Sequence, residues 1–208
     1  LHVGWQGDPQ FAEPARRAVG FLLTTSGEHW QSDRDGDMGH DTSIRGWPWV
    51  AGTHSWIEPT ALAVLALRGA GHGGHERVAA AVRMILNRQL PSGGWNYGNL
   101  RVFRNILHPL PESTGFALWA LAGLVERGRL EASLSYLEAA LERVRTPLSL
   151  GAGLTGLAAW GIVPPFATEA IEAAASRPPA PEPSGTSDLA ILGIAASEVE
   201  AARRREIR

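Results

Sequence analysis

Apolar residues recur along the chain at spacings of three and four, which is the period of a helix with one buried face. The pattern predicts about eight helices, over Phe11–Thr24, Glu58–Arg68, Glu76–Gln89, Glu112–Glu126, Leu130–Val144, Leu148–Trp160, Phe166–Ser176 and Ser187–Arg203. Clusters of glycine and proline separate these segments, and no alternating run is long enough to indicate a useful strand. The sequence therefore predicts an all-α protein.

Two of the predicted helices begin with the same short pattern, Glu-x-Thr, at residues 58–60 and again at residues 112–114. A glutamate in the first turn suits the positive end of the helix dipole, so helix capping is an adequate explanation of the pattern. A Gly-Trp loop after an amphipathic helix also recurs, at residues 27–30 and 93–95. The repeating unit is thus an amphipathic helix, a Gly-Trp loop and a more apolar helix opened by Glu-x-Thr.

The helices fall into two classes by their charge. Residues 58–67 and 112–124 carry almost no charged side chains beyond their first turn, whereas residues 76–89 and 130–144 carry several arginines and glutamates on one face. Helix pairs stacked side by side form an open solenoid or a closed ring with the apolar helices inside. We therefore expect stacked αα-hairpins in which residues 58–67 and 112–124 form the inner layer.

Residues 83–95 resemble the QW repeat of squalene-hopene cyclases and oxidosqualene cyclases, in which a helix ends in Gln and a short spacer leads to Gly-Gly-Trp. Residues 17–30 look like a degenerate copy without the Gln. Residues 56–63, Trp-Ile-Glu-Pro-Thr-Ala-Leu-Ala, resemble the inner-helix starts of the same α/α-toroid superfamily, which includes the protein prenyltransferase β subunits. The resemblance extends from residue 15 to about residue 122.

The resemblance implies a partial α/α toroid formed by a single domain over residues 1–208, with a Pro-rich connector at residues 177–185. Complete toroids of this family have more helices than are predicted here, so we expect an incomplete ring or a fragment. Such a chain exposes an apolar edge at its N-terminal hairpin, which predicts self-association or a partner that completes the ring.

In the cyclases of this family, the acid that starts the reaction is the central Asp of an Asp-x-Asp-Asp-Thr-Ala motif. The resemblance places Glu58 at that position, while Trp56 and Pro59 replace the flanking carboxylates. Glu58 is therefore a candidate catalytic acid, and capping of the helix start is the alternative. Glu112, in the second Glu-x-Thr pattern, and His54, in the preceding loop, are the other catalytic candidates.

Three tryptophans lie close together in residues 46–56. The family uses such aromatic faces to stabilise carbocations or to hold isoprenoid chains, whereas the alternative is that the rings wedge neighbouring repeats together. If a site exists, we expect it to form where the inner-helix starts converge. Its predicted ligand-binding residues are Trp47, Trp49, Trp56, Thr60, Tyr97 and Thr114.

An acidic loop supplies candidate ligands for Mg²⁺ or Ca²⁺. Asp33, Asp35 and Asp37 alternate within it, and carboxylate oxygens are the ligands that these ions prefer. The loop departs from an EF-hand because Met38 stands where that motif has glycine. A solvated Asp-Gly turn is the alternative. No other cofactor is expected.

The composition excludes several classes of chemistry. All 19 basic residues are arginines, so a lysine Schiff base and a Walker phosphate loop are absent. The lack of cysteine excludes thiol nucleophiles, and with them the cysteine-containing zinc site of the protein prenyltransferases. A net charge of −2 gives no basic field for nucleic acid, and no apolar run approaches the length of a transmembrane helix.

These observations predict a terpenoid-cyclase-like or prenyltransferase-like protein that acts on, or binds, an isoprenoid or another apolar small molecule. We expect it in the cytoplasm. A non-catalytic binding module and a helical-repeat scaffold for protein partners are the alternatives.

Overall fold

The structure is a computed structural model that describes residues 8–31, 39–176 and 185–206. Eight α-helices lie in these ranges: Pro9–Thr24 (α1), Ile57–Gly69 (α2), Glu76–Asn87 (α3), Pro111–Leu121 (α4), Glu131–Leu141 (α5), Pro147–Ala158 (α6), Ala167–Ala175 (α7) and Gly185–Glu206 (α8). A 3₁₀ turn at Arg127–Arg129 precedes α5. The prediction of an all-α fold with about eight helices is confirmed. The predicted connector at residues 177–185 lies almost entirely outside the described residues.

The helix boundaries follow local chemistry. The carboxylate of Asp8 caps α1 by accepting a hydrogen bond from the amide of Gln10 at 3.0 Å. At its C-terminus, α4 ends at Leu121, although the apolar periodicity predicts a helix to Glu126. The chain turns at Gly123, whose φ of 73° is a left-handed conformation that glycine adopts without steric cost.

The two β-strands in the described part of the chain form one short hairpin. Arg101–Val102 (β1) pairs antiparallel with Asn105–Ile106 (β2). The two residues of the turn, Phe103 and Arg104, have φ values of 50° and 66°. Turns of this kind usually contain Asn-Gly, so a Phe-Arg turn between two-residue strands gave no strand signal in the sequence.

The chain divides into two compact units, which we describe separately. The first comprises Leu1–Gln89 and Tyr97–Leu107, and the second comprises Leu90–Asn96 and His108–Arg208. No helix among the described residues combines the length and the apolar character that crossing a membrane requires.

In the first unit, α2 packs against α3, and α1 lies alongside α2. Helix α2 buries residues on several sides, including Ile57, Ala61 and Leu67, as its lack of charge predicted. Helix α3 buries one face only. Helix α1 contacts α2 but buries none of its own residues. Its apolar side chains are therefore only partly shielded from solvent, and Phe11 and Phe21 are exposed.

In the second unit, α4 packs against α6, and α6 packs against α8. Helix α5 contacts both α4 and α6, whereas α7 contacts both α6 and α8. Helix α6 thus lies between α4 and α8 and contacts every other helix of the unit. Helices α4 and α6 are buried on nearly all sides, because almost every residue between Ser113 and Leu121 and between Leu150 and Ala158 is shielded from solvent.

Glycines bring the backbones of α4 and α6 into direct contact. A methyl group added at Gly115 would lie 2.3 Å from the carbonyl oxygen of Ala152. One added at Gly156 would lie 2.5 Å from the carbonyl oxygen of Gly115. A Cβ atom essentially never lies so close to a non-bonded oxygen. The two helices would therefore have to move apart to accept a side chain at either glycine.

Replacing Gly115 by alanine should therefore destabilise the second unit, by about 3 kcal/mol, because overpacking a tight contact costs this much. Gly193 in α8 is a matched control, since a methyl group there meets nothing within 4 Å. Gly193→Ala should instead stabilise the protein by about 1 kcal/mol, as alanine favours a helix over glycine. Urea unfolding followed by circular dichroism measures both changes, and equal effects of the two substitutions would contradict the contact.

Candidate functional site

A threonine hydroxyl holds the tryptophan loop of the first unit against the start of α2. The hydroxyl oxygen of Thr60 accepts a hydrogen bond from the amide of Trp47 at 2.9 Å, and its proton points to the carbonyl oxygen of Trp47 at 3.5 Å. The amide of Trp56, the N-cap residue of α2, donates to the same carbonyl at 3.0 Å. The loop and the helix start are therefore joined through backbone groups.

The second unit repeats this arrangement. The hydroxyl of Thr114 accepts from the amide of Trp95 at 3.0 Å and donates to the carbonyl of Trp95 at 3.1 Å. The amide of Leu110, the N-cap residue of α4, donates to that carbonyl at 2.7 Å. We call this arrangement, formed by Trp47 with Thr60 and by Trp95 with Thr114, the Trp-Thr bracket.

The bracket corrects the alignment of the repeats that the sequence suggested. The sequence pattern aligns the Gly-Trp loop at Trp95 with the loop at Trp30, yet the residue that forms the equivalent hydrogen bonds is Trp47. Trp30 is 46% exposed, whereas Trp47 and Trp95 are almost fully buried. A glycine precedes each bracket tryptophan, and a methyl group on Gly46 or Gly94 would collide with the threonine hydroxyl.

The bracket also gives two predicted ligand-binding residues a structural role. Thr60 and Thr114 have no exposed surface, and the chain itself uses their hydroxyl groups. The sequence could not distinguish such a hydroxyl from one that faces a cavity, because both occur at a helix start. Neither threonine is open to a ligand in this structure.

Trp47, which is also a predicted ligand-binding residue, is buried and has a structural role. Its ring nitrogen donates to the carbonyl oxygen of Leu22 at 2.9 Å, and the guanidinium of Arg77 lies 4.1 Å from the centre of its ring. Arg77 in turn donates to the carbonyl oxygen of Thr25 at 2.7 Å. Trp47 thus connects the end of α1 with α3, which supports the alternative that its ring wedges helices together.

The other predicted aromatic residues keep accessible surface. Trp49 is 57% exposed and Tyr97 is 54% exposed. Trp56 is partly buried, and its ring stacks at a tilt on the imidazole of His54 with 4.2 Å between the ring centres.

The two glutamates stand at the starts of their helices, as predicted. Glu58 lies in the first turn of α2 in the first unit, and Glu112 lies in the first turn of α4 in the second; both are partly buried. The hydroxyl of Ser149 donates to Oε2 of Glu112 at 2.7 Å. Whether the two helix starts converge at one site remains a prediction.

Tyr136 lies in the same unit, and its hydroxyl donates to the carbonyl oxygen of Pro109 at 2.8 Å. Burial, together with the charge of Glu112, raises the pKa of Tyr136 to about 12, so this phenol stays protonated at neutral pH. Tyr136 could not be identified from the sequence, because a tyrosine within an amphipathic helix gives no functional signal.

His54 and Arg88 both line a small polar pocket in the first unit. Arg88 is the C-cap residue of α3. Arg88 is only 4% exposed, and its guanidinium donates to the carbonyl oxygen of Ser55. Burial lowers the pKa of Arg88 to about 10. Burial also lowers the pKa of His54, with a smaller contribution from the charge of Arg88, so this imidazole is neutral at pH 7.

An apolar groove of about 350 Å³ runs between α1 and α2 in the first unit. Its lining is entirely apolar: Phe11, Pro14, Ala15, Ala18, Val19, Leu22, Ala66 and Ala70. The sequence predicts an exposed apolar edge in this hairpin but not a groove. The signal was present in the alanines of the two helices, since small side chains leave space where larger ones would fill it.

The candidate metal ligands Asp33, Asp35 and Asp37 lie outside the described residues. Within the described ranges, no three histidine or carboxylate side chains are grouped so that they could hold a metal ion. Asp41, in the same acidic stretch, forms a turn instead. Its carboxylate accepts hydrogen bonds from the hydroxyl and the amide of Ser43 at 2.6 and 2.8 Å, which lowers the pKa of Asp41.

Comparisons with protein-family models, with curated proteins and with solved structures each found no match. The resemblance to the toroid superfamily consequently depends on the sequence motifs.

The Trp-Thr bracket makes a testable prediction at Thr60. Thr60→Val keeps the volume of the side chain but leaves the buried amide of Trp47 without its acceptor, which should cost about 2 kcal/mol. Thr60→Ser keeps the hydroxyl and loses one methyl group, so it should cost about 1 kcal/mol or less. Urea unfolding monitored by tryptophan fluorescence ranks the variants, and a valine variant more stable than the serine variant would rule out the hydroxyl as the stabilising group.

Proposed function

We propose that this protein is a terpenoid-cyclase-like or prenyltransferase-like helical protein that binds an isoprenoid or another apolar small molecule. The observation that carries the proposal is the groove between α1 and α2. All of its eight lining residues are apolar, and its volume of about 350 Å³ falls in the range typical of small-molecule sites.

Unburied apolar surface supplies the driving force. Helix α1 buries none of its residues, and Phe11 in the groove is 44% exposed. Covering apolar surface is favourable by about 25 cal/mol for each Å². A flexible hydrocarbon chain gains this energy along the whole groove and requires no hydrogen-bond partner there.

The toroid architecture forms part of the same proposal. The apolar helices α2 and α4, together with the Trp-Thr bracket at the start of each, support a repeated αα-hairpin unit of the kind that the resemblance implies. On this model a second copy or another partner completes the ring.

In this proposal the groove binds the ligand, and catalytic turnover of that ligand is a separate activity. Glu58 stands at the position of the family's acid, but Trp56 and Pro59 occupy the positions of the carboxylates that accompany that acid. Protonation of an alkene requires a strong acid, and a carboxyl group without those neighbours is a weak one. Binding without cyclisation is therefore the function that these residues favour.

The experiment is a calorimetric titration of the protein with farnesol, a simple isoprenoid alcohol. Ala18→Leu places a larger side chain in the groove from an exposed position and should weaken farnesol binding at least tenfold. Ala12→Leu is the matched control, because Ala12 is also exposed on α1 but does not line the groove. The control should bind farnesol as the parent protein does.

Absence of farnesol binding, or equal binding by the two leucine variants, would disprove the proposal. A groove that instead bound an amphipathic helix of a partner protein would favour the scaffold alternative.

A further inference from the structure

The β-hairpin of the first unit exposes apolar side chains. Phe103 in its turn is 88% exposed, Ile106 in β2 is 55% exposed and Val102 in β1 is 38% exposed. None of the three lines the apolar groove between α1 and α2. Apolar side chains that stay exposed together at one place on a surface are typical of an interaction site. We call residues 101–106 the apolar hairpin.

The turn of the apolar hairpin places two large side chains where small residues are usual. Phe103 and Arg104 have φ values of 50° and 66°, and this left-handed conformation is costly for a residue with a Cβ atom. Asn-Gly would form such a turn without that cost. Below the turn the hairpin is closed by backbone pairing, since the amide of Leu107 donates to the carbonyl oxygen of Leu100 at 3.0 Å. The most exposed part of the hairpin is thus also strained, as residues at functional positions often are.

The register of the strands spreads the apolar surface over both faces of the hairpin. Arg101 pairs with Ile106, and Val102 pairs with Asn105. Paired residues lie on the same face, whereas successive residues of a strand alternate, so Val102 and Ile106 lie on opposite faces. A flat protein surface would cover one face and leave the other in water. A fluid lipid layer surrounds both faces and the turn, so this distribution favours a membrane surface as the partner.

Arg104 supplies a positive charge at the turn itself. It is exposed, and the sequence has no Asp or Glu from Tyr97 to Pro111. Arg101 is exposed as well, but a methyl group on Gly39, which follows an acidic stretch of the sequence, would lie 3.3 Å from its side-chain carbons. Arg104 is therefore the charge that the turn presents. A guanidinium binds the phosphate or carboxylate of a lipid headgroup through charge-assisted hydrogen bonds, so the partner surface should be anionic.

We infer that the apolar hairpin docks on the surface of an anionic lipid bilayer. Phe103, Val102 and Ile106 enter the boundary between the headgroups and the acyl chains, and the guanidinium of Arg104 contacts anionic headgroups at the same depth. This docking does not depend on the proposed isoprenoid site, because the hairpin and the groove share no residue.

The experiment measures flotation of the full chain with vesicles of phosphatidylcholine and phosphatidylserine in equal parts, and with vesicles of phosphatidylcholine alone. The chain should bind the mixed vesicles more tightly, and added salt should weaken this binding, because salt screens exposed charges. Phe103→Asn removes the ring but favours the left-handed turn, so it should preserve the fold and weaken binding about tenfold or more. Phe21→Gln is the matched control, because Phe21 is 65% exposed on α1 and does not line the groove, and it should bind as the parent does.

The charge is tested separately. Arg104→Gln should weaken binding to the mixed vesicles about fivefold, which is the effect expected for one arginine near an anionic surface. Arg83→Gln removes the same charge from an exposed position on α3 and should leave the binding unchanged.

The absence of cysteine from the chain permits a test that leaves Phe103 and Arg104 in place. Val102→Cys introduces a single thiol, which can carry the environment-sensitive fluorophore NBD. With mixed vesicles its emission should shift to shorter wavelength and gain intensity, because the label enters a less polar layer. The same label at Leu189→Cys, an exposed position on α8, should show no change.

The inference is overturned if the parent chain does not float with the mixed vesicles or floats equally with both kinds. Equal losses of binding by Phe103→Asn and Phe21→Gln would also overturn it, because they would place the lipid contact on α1 as much as on the hairpin. An NBD signal at residue 102 that ignores the vesicles, or equals the signal at residue 189, has the same consequence. If the hairpin contacts a second copy of the chain instead, Phe103→Asn abolishes self-association in sedimentation while the parent fails to float.

Discussion

A buried threonine hydroxyl at the start of an apolar helix is the interaction on which both units depend. Each hydroxyl satisfies the amide of a tryptophan that would otherwise be buried without an acceptor, since Trp47 is 3% exposed and Trp95 is fully buried. Because the partner of the hydroxyl is a backbone group, the bracket fixes the path of the loop as well as the position of its ring. Replacing a glycine at Gly46 or Gly94 would push the loop away from the hydroxyl, which explains why each tryptophan follows a glycine.

The sequence predicted the helices well and the repeat only in part. Helical periodicity can be recognised in a single sequence because every turn of an amphipathic or buried helix contributes to it. The bracket has no fixed period: Trp47 and Thr60 are 13 residues apart, whereas Trp95 and Thr114 are 19 residues apart. Equal spacing therefore identifies the Glu-x-Thr patterns, but it cannot identify Trp47 as the counterpart of Trp95.

The candidate site shows the corresponding limit for side chains. Arg88 belongs to the segment that resembles a QW repeat, and as an arginine in a charged, amphipathic helix it looked like a surface residue. Its burial arises from packing against Ser55 and Gly98, which are distant in sequence. The apolar groove was hidden for a related reason, because an alanine has the same weight in a hydrophobic pattern whether it fills a contact or leaves a space. Residues whose role depends on the volume left around them cannot be identified from periodicity.

The ring contacts of Trp47 and Trp56 bear directly on the kind of chemistry that these two side chains can support. A ring stabilises a carbocation through the negative potential of its face, and only if that face is free. The face of Trp47 already holds the guanidinium of Arg77 at 4.1 Å, and the ring of Trp56 stacks on His54. A second cation placed against Trp47 would meet the charge of Arg77 as well as the ring, so the attraction that cyclisation requires is cancelled there. Trp47 and Trp56 thus stabilise the loop at the expense of carbocation chemistry, whereas the ring of Trp49 stays exposed. The apolar groove between α1 and α2 offers burial to a ligand in its ground state, which is the kind of recognition that the proposed binding function requires.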